Sequence, residues 1–236
     1  MKYYYDLHIH SALSPCADIL MSPNNILNMA YLKELNIIAI TDHNSCLQLN
    51  VFEELKDSYE MLIIPGVEVE VKEKYHVLCL FKTFDIARKF QKMLNVYLDK
   101  RMHDEKIYGE QNLFDAFDDI INNYQISLMG SSNISLLDLK RIIKHLDGLM
   151  ILAHIEKYSN DIFEKMKTIY SDIFDAIEVN ASYDISKLDD KLKDLPHTIL
   201  RNSDAHQITD ISEPIHKIEL EALTIDCLFH KLKVKK

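Results

Sequence analysis

Two hydrophobic periods alternate along the chain. Short runs read "YYDLHI" (4–9), "NIIAIT" (36–41), "MLIIP" (61–65), "GVEVEV" (66–71), "YHVLCLF" (75–81), "LMILAH" (149–154), "DAIEVN" (175–180) and "HTILRN" (197–202). They are too short for helices and rich in β-branched residues, so they predict strands. Between them apolar residues recur every three to four positions. Ser22 then Pro23 is an N-cap followed by proline at the first helical position, opening a helix to about Leu35. Ile86, Phe90, Leu94, Tyr97 and Leu98 form one helical face over 85–102, and Ser135 caps a helix that Gly148 ends. Further helices are expected over 160–172, 186–194 and 222–233. The alternation predicts an α/β fold of βα units with a mainly parallel sheet. No repeat or linker divides the 236 residues. One domain is expected over 1–236, with a helix-plus-loop insertion at about 84–134, where the pattern is least regular.

The polar residues that interrupt this pattern fall at predicted strand ends, where βα folds gather their chemistry. The first strand carries Asp6, His8 and His10, which alternation puts on one face. "TDHN" with Asp42 and His43 follows the second, and Glu68 follows "LIIPG". His76 opens "YHVLCLF", His154 closes "LMILAH", Asn180 closes "DAIEVN", and Asp204 and His206 follow "HTILRN". Each has an ordinary reading alone. His76 and His154 would pass for core histidines, Glu68 and Glu70 for a solvated strand face, and "TDHN" for a turn. Together they are a cluster, and buried ionisable groups are costly unless paired or bound to metal. Metal binding follows. His103, His145, His197, His216 and His230 lie on predicted helices or loops and are not assigned to it.

Composition narrows the remainder. Lys+Arg 27 against Asp+Glu 37 gives a formal charge of −10, which disfavours an extended nucleic-acid surface. Cys16, Cys46, Cys79 and Cys227 form no CxxC pair, so reduced thiols in a cytoplasmic protein are expected. "MKYYYDLHIH" does not read as a signal peptide, and no apolar run approaches the roughly 18 residues of a membrane helix. With four glycines and no GxGxxG or GxxxxGK[ST], the usual nucleotide loops are missing, as is a GxSxG elbow.

At "DLHIHS", "ITDHN", "PGVEVE", "YHVLCLF", "AHIE" and "NSDAH" the chain resembles the PHP (polymerase and histidinol phosphatase) superfamily of metal-dependent phosphoesterases, from about residue 4 to 207. The match is nearest to the stand-alone bacterial branch. The resemblance implies a distorted seven-stranded (β/α) TIM-like barrel holding up to three divalent ions, zinc, manganese or iron. Carried over by position, one ion takes His8, His10, Glu68 and Asp204. A second takes His43, His206 and a donor from the first loop, and a third takes Glu68 as a bridge with His76 and His154. The loop reads "SPCAD" where many relatives have "SDG" or a histidine, so its donor is Asp18 or Cys16. Asp18 is the expectation, since oxygen suits hard or borderline ions. Asp6 is expected to hold an imidazole N–H.

The implied reaction is hydrolysis of a small phosphorylated substrate or a short oligonucleotide end, by a metal-bound hydroxide in a trinuclear site, with Asp204, His206 and His43 as catalytic residues. Three carboxylates, three divalent ions and one hydroxide leave about +2 on the site, a complement to a phosphate dianion. Lys157 and Arg201 are candidate phosphate contacts. An amidohydrolase-type hydrolase also begins with HxH, but the Asp204/His206 pair and "TDH" count against it. A non-catalytic PHP-like module would require ligand loss, and only the loop donor departs from the pattern.

Overall fold

The computed structural model describes residues 1–233. In chain order the elements are β1 (Lys2–Ile9), α1 (Pro23–Leu32), β2 (Ile37–Ile40), α2 (Leu49–Leu55), β3 (Leu62–Glu70), β4 (His76–Leu80), α3 (Phe84–Leu94), α4 (Glu105–Tyr108), β5 (Asn112–Phe114), β6 (Ile120–Asn123), α5 (Leu136–His145), β7 (Leu149–Leu152), α6 (Asp161–Lys167), β8 (Ala176–Asn180), α7 (Asp189–Leu192), β9 (Thr198–Asn202), β10 (Lys217–Glu219) and α8 (Ile225–Leu232). One curled eight-stranded sheet runs β10-β1-β2-β3-β4-β7-β8-β9. Its far members approach where Ile9 bridges Ala205: His10 N donates to Ala205 O at 3.0 Å, and Ala205 N to His8 O at 3.2 Å.

The eight expected runs form seven strands of this sheet, and β10 adds an eighth by pairing antiparallel with the start of β1. "MLIIP" and "GVEVEV" are one strand, β3, not two. It continues through Pro65 and Gly66 because its partner changes there. Leu62 to Pro65 lie parallel to β2, and Gly66 to Glu70 lie antiparallel to β4. A side chain at Gly66 would press on both neighbours, since its Cβ would stand 2.8 Å from Leu80 and from Thr41. β4 is antiparallel to β3 and to β7, so the sheet is less parallel than expected. The reversal brings the start of β4, where His76 lies, to the rim formed by the ends of its neighbours.

Alternation divides the core in two. Ile38, Ile40, Val77, Cys79, Met150 and Leu152 pack with the helices. Ile37, Ala39, Leu78, Leu80, Leu149 and Ile151 pack on the sheet's other face, closed by Leu228, Phe229 and Leu232 of α8. Helices stop where capping is satisfied. Ser135 Oγ accepts Asp138 N at 3.1 Å, as expected, but the left-handed residue after α5 is Asp147 (φ 52), and Gly148 only follows it. The helix expected over 85–102 ends at Leu94; beyond it Tyr97 O accepts Asn133 N.

The segment 84–134 is more ordered than one helix plus loops. Beside α3 and α4 it holds the β5–β6 hairpin, and it grips the loops of the polar rim. Asn112 N donates to Ala12 O at 2.9 Å, and Asn44 Nδ2 to Leu128 O at 2.9 Å. Gly109, at φ 91 and ψ −179, lies against the first loop, where a Cβ would meet Pro15 O at 2.2 Å. That conformation is essentially reserved for glycine. Gly109→Ala should therefore destabilise the fold by about 1–3 kcal/mol in urea unfolding; an unchanged midpoint would show that the contact is not tight.

Candidate metal centre

β1 reaches the rim with a bulge. Its register to β2 slips between Asp6 and Ile9. Tyr5 and Leu7 pack in the α8-side core, whereas Ile9 packs with the helices. The extra residue breaks strict alternation, so Asp6 does not share the histidines' environment. Its carboxylate accepts Ser203 N (3.1 Å), Ser203 Oγ (2.6 Å) and Ser212 N (2.9 Å), and it reaches His8 only at the backbone N (3.4 Å). The expectation that Asp6 holds an imidazole N–H is corrected accordingly.

Glu178 holds the imidazole. This buried carboxylate on β8 lies 3.0 Å from His8 Nδ1 through each oxygen and accepts His154 N (3.0 Å) and Asn202 Nδ2 (2.7 Å). Because a carboxylate facing a ring nitrogen accepts, Nδ1 of His8 carries a proton and Nε2 is the nitrogen left to face the cluster. His10 is fixed differently. Ser14 Oγ donates to Asp42 Oδ1 at 2.7 Å, so it must accept from His10 Nδ1 at 3.0 Å. His206 Nδ1 lies 2.8 Å from the carbonyl of Asp204, which can only accept. Three rings thus have Nδ1 engaged and turn Nε2 toward the cluster.

The four donors expected for the first ion lie together. His8 Nε2 and His10 Nε2 are 3.0 Å apart; Asp204 Oδ1 is 3.3 and 3.4 Å from them, and Glu68 oxygens are 3.5 and 3.4 Å. Donors roughly 2.1 Å from one ion are separated by roughly 3.0–3.4 Å at angles from square to tetrahedral. Glu68 also lies 2.9 Å from His43 Nδ1, 2.9 Å from His76 Nδ1 and 3.2 Å from His154 Nε2. His10, His43 and His206 bring ligand atoms within 4.8 Å of one another, a grouping that adds His10 to the expected pair. His154 (φ 34) and Asp204 (φ 57) stand in left-handed backbone, the strain typical of functional positions.

The electrostatics match. Burial opposes ionisation of Glu68 and Asp204, yet neighbouring histidines outweigh it and hold both carboxyls well below the usual range. Burial opposes a charge on His8 as well, but Glu178, Asp204 and Glu68 raise its pKa well above an ordinary imidazole. His10, buried beside His43 and His206, is driven the other way. Asp42 is pushed up to about 6 by burial, against the hydrogen bonds of Ser11 and Ser14.

Two further expected positions lie elsewhere. Asp18 is exposed, and its carboxylate accepts Leu20 N at 2.8 Å in its own turn. Asp18 N donates to His206 O (2.8 Å), which ties the loop to the cluster through its backbone, and Cys16, two residues earlier, is exposed. Burial works against ionisation of its thiol, but the neighbouring His43 and His206 lower it to about 6. Arg201 is consumed by the backbone, donating to the carbonyls of Asn180, Ala181 and Tyr183 at 3.2, 2.8 and 2.7 Å. Lys157 does reach the rim, with Nζ 2.9 Å from Asp204 Oδ2. It lines an open cavity of about 310 Å³ with Lys74, Tyr158, His43, His76 and His154. Glu178 had one sequence signal, an acid inside the apolar run "DAIEVN". Lys74 and Tyr158 had none.

A profile described as the PHP domain matches residues 6–186. An uncharacterized protein of Methanocaldococcus jannaschii is 28% identical over 191 residues, covering 75% of this chain and 23% of its own length. A lesion-specific endonuclease from Pyrococcus furiosus superposes with a TM-score of 0.68 at 20% identity, over 99% of this chain and 56% of that one. An amidohydrolase from Chromobacterium violaceum superposes at 0.66 and 16% identity, over 97% and 95%. The chain thus spans about a quarter of the archaeal relative and little over half of the endonuclease. The two structural likenesses speak to the fold alone.

Two outcomes are expected. Glu178→Gln should weaken metal binding 10- to 100-fold in chelator competition while leaving circular dichroism unchanged; a Kd within twofold of the parent would remove Glu178 from the metal site. Chelation should lower Tm, because imidazoles and carboxylates facing one cavity lose their counter-charge. Equal melting curves with and without chelator would argue that no ion is bound.

Proposed function

Because the chain belongs to the PHP domain family, and is on that ground a metal-dependent hydrolase, we propose that it hydrolyses a small phosphate ester at the rim centred on Glu68. The observation that carries the metal reading is the approach of His8 Nε2 to His10 Nε2 at 3.0 Å, flanked by Asp204 and Glu68. Four donor atoms so close, in a buried place, suit a cation. The donor sets fit up to three divalent ions. Imidazole with carboxylate suits zinc, manganese or ferrous iron. When bound, such ions acidify water and neutralise phosphate oxygens.

The chain's own residues prepare this chemistry. Glu178 and Ser14 engage Nδ1 of His8 and His10 and so turn each Nε2 toward the cluster, where an entering ion would take the place of a proton on His8. Asp204 and His206, partly exposed at the mouth, lie where an incoming ester would meet the cluster. Lys157 offers its ammonium to a phosphate oxygen by leaving Asp204, and Lys74 adds a second positive charge at the entrance. The formal charge of −10 favours small substrates or short oligonucleotide ends over the duplex lesion DNA of the endonuclease structures. The amidohydrolase likeness supports a second reading, hydrolysis of an amide or lactone by the same centre. The paired Lys157 and Lys74 at the mouth favour an anionic substrate.

The test is metal analysis of the purified protein, followed by hydrolysis of a phosphate monoester, a nucleotide bisphosphate, a short oligonucleotide and an amide. Two to three ions per chain and phosphate release are expected. Fewer than one ion, or turnover of the amide alone, would sink the proposal. His43→Ala and His206→Ala should abolish phosphate release with the fold intact, while His145→Ala, on α5, should be near neutral. Equal losses in all three would mean that the rim is not the reaction site.

A further inference from the structure

One turn of the chain delivers three kinds of group to the cavity at the rim. After β7, His154 leads into a short 3₁₀ turn, Ile155–Lys157, which Tyr158 ends. The turn is firmly held. Ile155 is wholly buried, Lys157 N donates to His154 O at 2.9 Å, and Tyr158 N donates to Ile155 O at 3.2 Å. Glu178 accepts His154 N at its start. An imidazole, an ammonium and a phenol, from His154, Lys157 and Tyr158, therefore line the same open cavity of about 310 Å³.

The imidazole and the ammonium have parts in the proposed hydrolysis, and the phenol is still without one. Tyr158 Oη accepts His76 N at 2.8 Å. That bond occupies a lone pair and leaves the phenolic proton, which no group among the described residues accepts. The ring is not free to swing the hydroxyl away. Tyr75 packs edge-on against it at 5.1 Å and 88°, and the His154 ring stands 5.7 Å from it. The other two donors at the mouth are already turned to carboxylates, Lys157 to Asp204 at 2.9 Å and Lys74 to Glu70 at 3.6 Å. Tyr158 has no such competitor, and a phenol is neutral and protonated at ordinary pH.

We propose that Tyr158 is a substrate-binding residue, its phenolic O–H donating to a phosphoryl oxygen of the ester beside the ammonium of Lys157. The inference rests on the phosphate-ester reading of the rim. Lys157 must leave Asp204 to meet a phosphate, whereas Tyr158 donates from where it stands and keeps its bond to His76. A hydrogen bond to an anionic oxygen is stronger than the one the phenol makes to water, so the exchange favours the ligand. A rigid aromatic donor also loses little side-chain freedom on binding. The bond fixes where the phosphoryl group sits, on the side of the cavity lined by His76 and His154.

Titration calorimetry of inorganic phosphate into the metal-loaded, full-length protein reads this bond without turnover. Tyr158→Phe should raise the Kd for phosphate about 10- to 100-fold, with the metal content per chain unchanged. Tyr75→Phe should keep both values, because the Tyr75 hydroxyl faces Lys165 Nζ at 3.3 Å and is not part of the cavity wall. Phenylalanine at 158 also removes the acceptor for His76 N, so a purely structural role would show as metal and phosphate lost together, and that result would overturn the inference. Equal phosphate affinity in the parent and in Tyr158→Phe would overturn it as well and leave the phosphate-ester reading standing. A metal-loaded parent that binds no phosphate would overturn both. If Tyr158→Phe misfolds, a crystal structure of the metal-loaded parent with phosphate decides the matter. Tyr158 Oη should lie roughly 2.7 Å from a phosphate oxygen, and a phosphate bound out of reach of the phenol would refute the role.

Discussion

Glu68 touches more of the rim than any other residue described. One carboxylate, almost wholly buried, stands within 3.5 Å of His8, His10, His43, His76 and His154, side chains drawn from β1, the loop after β2, β4 and the end of β7. An ion in the protein interior loses several kcal/mol of hydration and is tolerated only when its partners are arranged to repay that loss. Five imidazoles from four places in the chain cannot be gathered by local structure. They require the curled sheet, the turn of β3 from one partner to the next at Gly66, and the reversed direction of β4.

A layer of polar residues behind the rim keeps the imidazoles in one state. Glu178 fixes His8, the Asp42–Ser14 pair fixes His10, and the carbonyl of Asp204 fixes His206. Each supplies an acceptor to Nδ1 and leaves Nε2 facing the rim. Orientation is thereby set before any ion arrives, and less side-chain freedom is lost on binding. The same residues tie the rim together. Glu178 also binds the backbone of His154 and the amide of Asn202, and Asn202 in turn accepts Leu7 N. Stability and site geometry are carried by shared hydrogen bonds, so substitutions here would affect both.

The segment 84–134 acts on the site without entering it. Its amides and carbonyls bind Ala12 and Asn44, which lie in the two loops carrying Cys16 and His43. A loop held at both ends and pressed by Gly109 has few alternative paths. That restriction fixes the path of the loop, from which the Asp18 side chain turns to solvent.

The sequence by itself marked most strands of the main sheet, and six histidines with two carboxylates near their ends, because burial writes a pattern into strands and polar residues stand out where apolar runs stop. His8, His10, Glu68 and Asp204 could be grouped that way, since each departs from an apolar pattern that is otherwise strict. It also marked Ser135 as a cap, an interaction made within three residues. What it left open depended on direction and distance through space. The bulge in β1 moved Asp6 away from the histidines, and nothing in "DLHIH" reveals a slip relative to β2. Arg201 lies beside the last motif in sequence, yet three carbonyls of the neighbouring strand's loop claim it. Asp18 and Cys16 are two residues apart in one short loop, and only anchors from 42, 109 and 206 fix how that loop lies against the rim. Local periodicity records which residues are buried; the tertiary structure alone fixes which buried groups meet, because those meetings are made by partners far away in the chain.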